Sequence, residues 1–573
     1  MESRLEPIAT KRWIVREPDP AAVEKLIQEG NLNPWIARLL VNRGIVEPEA
    51  ASLFLSSTLA DIRDPFLLRG MEKAVTRLSA AAVSGDKICV YGDYDVDGIT
   101  SVALLISFFR SVGLDCFFYI PKRLEEGYGL SEEGVASAAA QGAKIIVTVD
   151  CGINSVAEAS FCSSLGIDLI VTDHHTPGDI IPPAFAVINP LQPGCPFPFK
   201  HLAGVGVAFN LLIALRNRLR REGRLGSCGE PNLREYLDLV ALGTVADIVP
   251  LVDENRIFVK YGLSELTSSR RVGVQALKEV AGVKGAVGCG TVGFRLAPRL
   301  NAAGRLEDAA LGVELLLCSD RRKAGTIAAE LDASNAERQA LEQEILHDAL
   351  ALVKNTPELR ERKSIVLASE AWHPGIIGIV ASRIVDLFHR PTVLIALRDG
   401  SGRGSGRSIP SFHLHDALNA CAEHLVKFGG HKYAAGLSIE ESTLAAFIER
   451  FDEVACGLLT PSDLVPDLYI DAHIFPEQID QSFADLIESL APFGMNNPEP
   501  VFILKNATIA ARQVVKERHL KLRIAASGRQ IEAIGFNMVP GKPVSDLANL
   551  AFSLQVNDWN GRKSVQLRLK DID

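Results

Sequence analysis

The sequence predicts an α/β protein: a parallel-sheet domain, a long helix, a smaller α/β domain and a C-terminal OB-like β-barrel. Three observations support this prediction. Short β-branched or apolar runs alternate with helical stretches from Lys87 onward. The segment Asp320 to Asn355 has no proline and the residue spacing of one long helix. From Val501 to the end, strand-like runs alternate with turn signals.

Composition sets the broad class. The chain has 573 residues, 47% of them hydrophobic, which corresponds to roughly three or four domains. No run approaches the roughly 18 to 20 apolar residues of a membrane span, and the first 20 residues are charged throughout. We therefore expect a soluble, cytoplasmic protein that contacts no membrane.

The net charge limits how the protein can bind nucleic acid, and the cysteine spacing limits which metal sites or disulfides it can contain. A net charge of -10 argues against indiscriminate binding of polyanions, so any nucleic acid must bind a local basic surface. The ten cysteines are scattered along the chain, and no two of them are spaced as Cys-x-x-Cys. This spacing indicates neither a zinc site nor a disulfide framework.

The elements follow in chain order. Residues 1–70 carry short helical patterns, one of them capped by Asn33, and predict a helical lead-in. The strands expected in the parallel-sheet domain, residues 71–319, are Lys87–Tyr91, Cys116–Ile120, Ile145–Val149 and Leu169–Thr172. A connecting helix is expected over 320–358, a second α/β domain over 359–458 and the barrel over 459–573.

Three aspartates crowd one turn after the first strand of the sheet. Asp93, Asp95 and Asp97 lie between that strand and a helix, and ligands of open α/β sheets bind at such strand ends. Crowded carboxylates repel one another unless cations neutralise them, and Mg²⁺ or Mn²⁺ suits oxygen ligands. A solvated acidic turn is the alternative interpretation.

Later strands end in similar residues. Asp150 follows the third predicted strand, and Asp173-His174-His175 follows the fourth. A single carboxylate, Asp247, lies in an apolar stretch where an unpaired charge would be costly. Two divalent ions about 3.5 to 4 Å apart, as in two-metal hydrolysis of phosphodiesters, could be surrounded by Asp95, Asp97, Asp150, His174, His175 and Asp247.

These motifs resemble the DHH phosphoesterase superfamily, and within it the exonucleases specific for single-stranded DNA. The resemblance rests on Gly92 to Gly98, on Asp150, on the Asp-His-His triplet, on Ala241 to Leu251 and on Gly429 to Gly436, which is similar to the glycine-rich signature of a DHHA1 domain. It implies a 5′-to-3′ exonuclease that uses Mn²⁺ or Mg²⁺ and releases nucleoside 5′-monophosphates in DNA recombination and repair.

The resemblance also implies roles for single residues. The implied metal ligands are Asp95, Asp97, Asp150, His174 and Asp247, with Asp93 as an additional candidate. The implied catalytic residues are Asp97, His174 and His175, of which His175 supports the site or contacts the scissile phosphate.

Positive and glycine-rich segments provide candidate phosphate contacts. Arg299 and Arg305 flank Asn301, although a solvated charged face is an alternative. Gly402 to Ser408, with Ser405 and Arg407, offers flexible backbone amides unless it is a disordered loop. His431 follows two glycines at an expected helix start, where amides favour an anion. The resemblance implies that Ser405, Arg407 and His431 contact the leading nucleotides.

Two further regions could hold a DNA strand. Arg123 and Tyr128 combine a cation with an aromatic ring and could seat a 5′-terminal phosphate and stack a base, or form an ordinary loop. Residues 503–530 contain seven basic residues and one acidic residue. In the barrel, Phe536, Phe552 and Trp559 could stack on bases, although strand aromatics are more often core.

Two rival functions stay open. One is the same chemistry on dinucleotides or other small substrates, which the basic third module disfavours. The other is a non-catalytic single-strand-binding module, which would need no metal ligands. We expect single-stranded DNA as the substrate, a single-stranded-DNA-binding protein and a helicase as partners, and a monomer.

Overall fold

The computed structural model describes residues 11–122, 126, 129–225, 229–306, 308–526, 529–538, 544–559 and 562–573. They form two compact units. The parallel-sheet unit comprises residues 47–336 and 490–499, and the barrel unit comprises 11–46, 337–489 and 500–573. Among the helices of the described ranges, none combines the length and the hydropathy of a membrane span.

The N-terminal segment of the barrel unit contains β1 (Arg12–Val15), α1 (Pro20–Gln28) and α2 (Pro34–Val41). Asn33 caps α2 as predicted, because its side chain accepts a hydrogen bond from the Trp35 N–H at 2.9 Å. The strand β1 was not predicted in the helical lead-in. It pairs in parallel with Asp467–Ile470, a partner more than 400 residues away that the local pattern cannot reveal.

The first half of the parallel-sheet unit alternates strands and helices. Its elements are α3 (Pro48–Ser56), α4 (Met71–Ser84), β2 (Ile88–Gly92), α5 (Val96–Ser111), β3 (Cys116–Tyr119), α6 (Glu132–Ala140), β4 (Ile145–Val149), α7 (Val156–Ser164), β5 (Asp168–Thr172), β6 (Ala186–Ile188) and α8 (Gly204–Arg221). The strands form one parallel sheet in the order β3-β2-β4-β5-β6. The predicted parallel sheet is confirmed; β6, with three residues, was too short to predict.

The second half of this unit is helical. It contains α9 (Leu237–Ala246), α10 (Asp253–Thr267), α11 (Val272–Val280), α12 (Cys289–Thr291), a π-helical segment (Val292–Leu296), α13 (Ala297–Leu306) and α14 (Ala310–Leu317). The helices α5, α8 and α9 pack together beside the sheet and are buried over most of their length. The N-terminal ends of α5 and α8 and the C-terminal end of α9 carry or contact the predicted metal ligands.

The predicted connecting helix is α15 (Arg321–Asn355), within which the boundary between the two units falls. It is followed by β7 (Ile365–Ser369), α16 (Ile377–Phe388), β8 (Thr392–Arg398), β9 (Ser401–Arg407), α17 (Leu414–Asn419), β10 (Lys427–Gly430), β11 (Ala434–Glu440) and α18 (Leu444–Leu458). These strands form a sheet in the order β10-β11-β9-β8-β7, in which only β7 and β8 are parallel.

Both glycine-rich segments of this sheet correct the sequence interpretation. Residues 402–407 are expected from the sequence to offer flexible backbone amides or to form a disordered loop, but they form the strand β9. His431 lies in the turn between β10 and β11 instead of at a helix start. Glycine is required at its positions in β9 because side chains from neighbouring strands fill the space that a Cβ atom would occupy. A Cβ at Gly404 would lie 2.6 Å from a Leu437 methyl carbon.

The C-terminal part of the barrel unit contains β12 (Asp467–Ile470), β13 (Ala472–His473), α19 (Gln481–Glu488), β14 (Phe502–Val515), β15 (His519–Ala526), β16 (Arg529–Gly535), β17 (Leu547–Trp559) and β18 (Arg562–Ile572). Five strands close in the order β14-β15-β16-β18-β17, because β14 also pairs with β17. The predicted OB-like barrel is confirmed.

Short 3-10 helices occupy Leu59–Asp61, Pro65–Leu67, Leu233–Tyr236, Pro357–Arg360, Ala422–His424, Glu441–Thr443, Pro461–Leu464 and Pro476–Gln478. The predicted domain boundaries at 70, 319, 358 and 458 stay predictions.

Candidate metal centre

Backbone amides of two helix N-termini hold two of the aspartates that follow β2. Asp95 caps α5, since its Oδ1 accepts hydrogen bonds from the Asp97 and Gly98 N–H groups at 2.9 and 3.1 Å. The Asp97 carboxylate accepts hydrogen bonds from Gly204 and Val205 at the start of α8, at 2.7 and 2.8 Å. Both carboxylates therefore have fixed orientations before any ligand binds.

Glycine at position 204 allows α8 to begin against the next aspartate. A Cβ there would lie 2.7 Å from Asp150 Oδ1 and 2.9 Å from its Cγ. Asp150 itself is buried and has a φ of +60°, so it leaves β4 in a conformation that non-glycine residues seldom adopt. Strain of this kind is concentrated at functional sites.

His174 brings three carboxylates together around one nitrogen atom. Its Nε2 lies 3.1 Å from Asp150 Oδ1, 3.6 Å from Asp247 Oδ2 and 4.0 Å from Asp97 Oδ2. His174 Nε2 and Asp247 Oδ2 are buried, yet neither has a hydrogen-bond partner among the residues that the structure describes. Buried polar atoms are normally paired, so this arrangement suits a bound cation.

The remaining ligand candidates join the same cluster. Three sets of side chains each place one ligand atom within 4.8 Å of the others: Asp150 with His174 and His175; Asp97 with His174 and Asp247; and Asp93 with Asp95 and Asp150. All the residues predicted from the sequence to ligate metal thus lie together. The overlapping sets of carboxylate and imidazole atoms have the chemistry that Mn²⁺ and Mg²⁺ need.

Asp173 organises the two histidines and was not among the predicted site residues. Its buried carboxylate accepts hydrogen bonds from the Ile153 N–H at 2.9 Å and from the His174 N–H at 2.7 Å. It also lies 2.7 Å from His175 Nδ1. A carboxylate behind a site histidine fixes its ring, and its position as the first residue of the triplet was the available signal.

Burial and like charge raise the pKa values of the aspartates in the ligand-free protein. For Asp97, burial is the main cause and the Asp95 charge adds to it, so its pKa rises from 3.8 to about 7. Burial, followed by repulsion from neighbouring aspartates, raises the pKa values of Asp150 and Asp247 well above 3.8. The cluster is a site where a divalent cation relieves repulsion.

The two histidines have opposite pKa shifts. Burial, together with the charge of His175, lowers the pKa of His174 to about 4, so it is neutral and able to ligate a metal. Burial also acts to lower the pKa of His175, but its hydrogen bond and ion pair with Asp173 outweigh burial and raise it to about 9.

These shifts predict how stability depends on pH in the chelator-treated protein. Between pH 6.5 and 9, folded His175 retains a proton that the unfolded chain has lost; Asp97 retains one only up to about pH 7, and His174 titrates below this window. The stabilisation therefore declines as the pH rises, and we expect the Tm to fall by about 2 to 5 °C. Thermal unfolding at several pH values checks this; a Tm that rises across the window would contradict it.

The predicted Arg and Asn contacts in α13 make internal interactions. Arg299 Nε donates to Asp332 Oδ1 at 2.8 Å, and the Val96 N–H donates to Asn301 Oδ1 at 3.2 Å. Asn301 therefore supports the loop that carries the aspartates. Arg305 is half-buried on the same helix. Arg123 and Tyr128 lie outside the described residues.

The other predicted phosphate contacts belong to the barrel unit. Arg407 donates to the Ser405 hydroxyl at 3.1 Å and to the Gly406 carbonyl at 2.7 Å. A Cβ at Gly378 would lie 2.8 Å from Ser405 Oγ, so α16 approaches this pair closely. His431 is exposed in its turn, where its N–H donates to the Ala434 carbonyl at 2.8 Å.

The barrel aromatics differ in exposure. Phe552 is fully buried against Phe502, so it is a core residue, the alternative that strand aromatics favour, and it does not stack on bases. Phe536 is 49% exposed, with the His519 ring 5.4 Å and the Arg568 guanidinium 5.8 Å from its own ring. The Trp559 side chain lies outside the described part of the barrel.

Comparison with protein families gives three matches. The DHH family N-terminal domain matches residues 87–244, the DHHA1 domain matches 362–456 and the RecJ OB domain matches 470–571. The first match covers the parallel sheet and every residue of the metal-ligand cluster except Asp247, and the second covers the mixed sheet. The third falls on the closed barrel.

Curated relatives extend the likeness over nearly the whole chain. The single-stranded-DNA-specific exonuclease RecJ of Bacillus subtilis is 39% identical over 98% of this chain and 70% of its own length. The Escherichia coli protein of the same name is 41% identical over 94% of this chain and 96% of its own. A crystal structure of RecJ in complex with Mn²⁺ from Thermus thermophilus superposes with a TM-score of 0.83 at 34% identity, covering 98% of this chain and 79% of that one.

Proposed function

Because the chain belongs to the RecJ family of single-stranded-DNA-specific exonucleases, we propose that its metal centre degrades single-stranded DNA from the 5′ end. The products are nucleoside 5′-monophosphates, and the reaction serves DNA recombination and repair. The observation that carries the proposal is the convergence of seven ionisable side chains, three of them buried and four half-buried, from four segments of the chain.

The ligand set fits two divalent ions, Mn²⁺ or Mg²⁺. Asp95, Asp97, Asp150, His174 and Asp247 would hold them, with Asp93 as an additional ligand. When bound, the ions supply a lowered pKa for water and compensating charge for the phosphate. The two atoms without hydrogen bonds, His174 Nε2 and Asp247 Oδ2, support this assignment within the described residues.

The chain's own groups orient the metal-binding carboxylates and supply a proton for the reaction. Backbone N–H groups hold Asp95 and Asp97 in place, so these carboxylates do not need to reorganise when the substrate enters. His175 is positively charged beside Asp173 and holds a proton that it can donate to the phosphate or to the leaving oxygen. Since Asp173 fixes the His175 ring, it is a positioning residue.

Contacts to the DNA strand form the second part of the proposal. Arg123 and Tyr128 would bind the 5′-terminal nucleotide, and the remaining phosphate contacts would come from Arg299, Asn301, Arg305, Ser405, Arg407 and His431. The barrel would guide the trailing strand, with Phe536 as an exposed surface for a base. Part of its basic charge is paired internally, as in the 2.6 Å contact between Arg512 and Asp546.

We also propose a monomer that works in the cytoplasm with a single-stranded-DNA-binding protein and a helicase. The nine described cysteines are free thiols, as is usual in a reducing compartment. We keep the division into a lead-in (1–70), a DHH domain (71–319), a connecting helix (320–358), a DHHA1 domain (359–458) and an OB-like domain (459–573).

The test compares substrates of different length. Initial rates with Mn²⁺ on a dinucleotide and on a long single-stranded oligonucleotide measure whether the barrel contributes to substrate binding. We expect a much higher kcat/KM on the oligonucleotide, because only a long strand spans both the metal centre and a tracking surface. A protein that cut the dinucleotide and left the oligonucleotide intact would be a small-substrate phosphodiesterase.

A further inference from the structure

Ile248, which follows Asp247 at the end of α9, has a backbone conformation that its side chain disfavours. Its φ is +59°, in the left-handed region, where a β-branched side chain crowds the backbone. The Asp247 N–H still donates to the Gly243 carbonyl at 3.0 Å, so the helix persists up to the residue before it. Helices that end in this conformation usually place glycine or asparagine there.

Packing does not explain the isoleucine. Its side chain is 72% exposed, and it is the only exposed residue among 245–252. The chain then returns to the interior, where Leu251 is buried and its N–H donates to the Met495 carbonyl at 2.8 Å. Glycine or asparagine would make the same turn with less strain and without an exposed apolar side chain.

The place of this strained residue is next to a metal ligand. Its Cα lies about 3.8 Å from that of Asp247, as for any trans peptide. Asp247 Oδ2 in turn lies 3.6 Å from His174 Nε2 within the ligand cluster. Strain without compensation by packing, immediately beside reactive groups, indicates that the side chain serves the function.

We infer that Ile248 is an apolar contact for the substrate, packing against the sugar or base of a nucleotide beside the scissile phosphate. The inference rests on the proposed function. A phosphate held at the metal centre brings its own sugar and base to neighbouring residues, and the unpaired nucleotides of a single strand present apolar faces to them. Ile248 thus adds an uncharged contact beside a cluster that otherwise recognises charge.

The test compares three substitutions. Ile248→Gly and Ile248→Asn remove the apolar contact and relieve the strain, whereas Ile248→Leu keeps an apolar side chain. We expect the KM for single-stranded DNA to rise about three- to tenfold in the Gly and Asn variants and to stay within about twofold in the Leu variant. Fluorescence anisotropy with a labelled oligonucleotide in EDTA should rank the variants by Kd in the same order as by KM. The Tm of the Gly and Asn variants should equal or exceed that of the wild type.

Val83→Asn is the matched control, because Val83 is another β-branched residue, 69% exposed on α4. Its KM should equal that of the wild type. Unchanged KM and Kd in Ile248→Gly and Ile248→Asn would overturn the inference. A weaker Mn²⁺ affinity by calorimetry, parallel to the rise in KM, would also overturn it, since the effect would then act through Asp247.

The same assays distinguish a failure of this inference from a failure of the proposed function on which it rests. A wild-type protein that failed to degrade single-stranded DNA would refute the proposed function and, with it, the contact. An active wild type whose Ile248 variants bind DNA normally would refute the contact alone.

Discussion

Replacing Asp97 by Asn is expected to lower kcat/KM on single-stranded DNA by roughly a thousandfold or more. Asp97 is completely buried, accepts hydrogen bonds from Gly204 and Val205, and has an oxygen 4.0 Å from His174 Nε2. The amide keeps the size of the side chain but removes the charge that a cation requires.

Stability should change little in the same variant. Burial and the charge of Asp95 raise the pKa of this carboxylate to about 7, so its ionised form is unfavourable in the folded protein. Removing it therefore favours folding. It also leaves one of two backbone N–H groups facing an amide nitrogen, which opposes folding. Because the two effects oppose each other, we expect the Tm in EDTA to stay within about 3 °C of the wild type.

Asp238→Asn provides the matched control. Asp238 is also a buried aspartate, but it bonds to Ser269 Oγ at 2.7 Å and to Arg271 Nε at 3.1 Å, away from the cluster. Its substitution should lower the Tm by several degrees and leave turnover within about twofold. Near-normal turnover in Asp97→Asn would disprove the assignment of the metal centre.

Chelation is expected to abolish activity, and Mn²⁺ should restore it. Without cations, burial and mutual repulsion raise the pKa values of Asp97, Asp150 and Asp247. A divalent ion relieves that repulsion, so it should also stabilise the fold by preferential binding to the native state. We expect turnover in EDTA to fall to background and the Tm to rise by several degrees when Mn²⁺ is added back.

Asp247→Asn tests whether this stabilisation arises at the cluster. The variant loses one ligand whose Oδ2 lies 3.6 Å from His174 Nε2, so its Mn²⁺-dependent rise in Tm should be clearly smaller than that of the wild type. Full turnover in excess EDTA, or an equal Tm rise in the variant, is incompatible with a metal centre at this place.

The metal centre was predictable because its parts follow a simple rule of sheet geometry. Asp95, Asp150 and His174 each lie within three residues of the end of a parallel strand, and parallel strands end at one edge of a sheet. Asp247 was found for a different reason, since an acidic residue in an apolar helix needs a partner.

Features that depend on distant partners were not predictable. The strand β1 has four residues and pairs with a segment more than 400 residues away. The glycines of β9 lack the side chains that indicate a strand, and their necessity appears only when Leu437 is seen beside Gly404. Asp173 is a different case, because its partners are its neighbours in the triplet; the structure adds the 2.7 Å distance from its carboxylate to His175 Nδ1.

The most direct test of the central claim is the release of label from single-stranded oligonucleotides with Mn²⁺. One oligonucleotide carries the label at its 5′ end and a second carries it at its 3′ end, with duplex DNA and Asp97→Asn as controls. We predict that the 5′ label leaves first as a mononucleotide, that the 3′ label stays on shortening fragments, and that both controls remain inert. Earlier release of the 3′ label, equal cutting of the duplex or an active Asp97→Asn protein would contradict a 5′-to-3′ single-strand exonuclease acting at this metal centre.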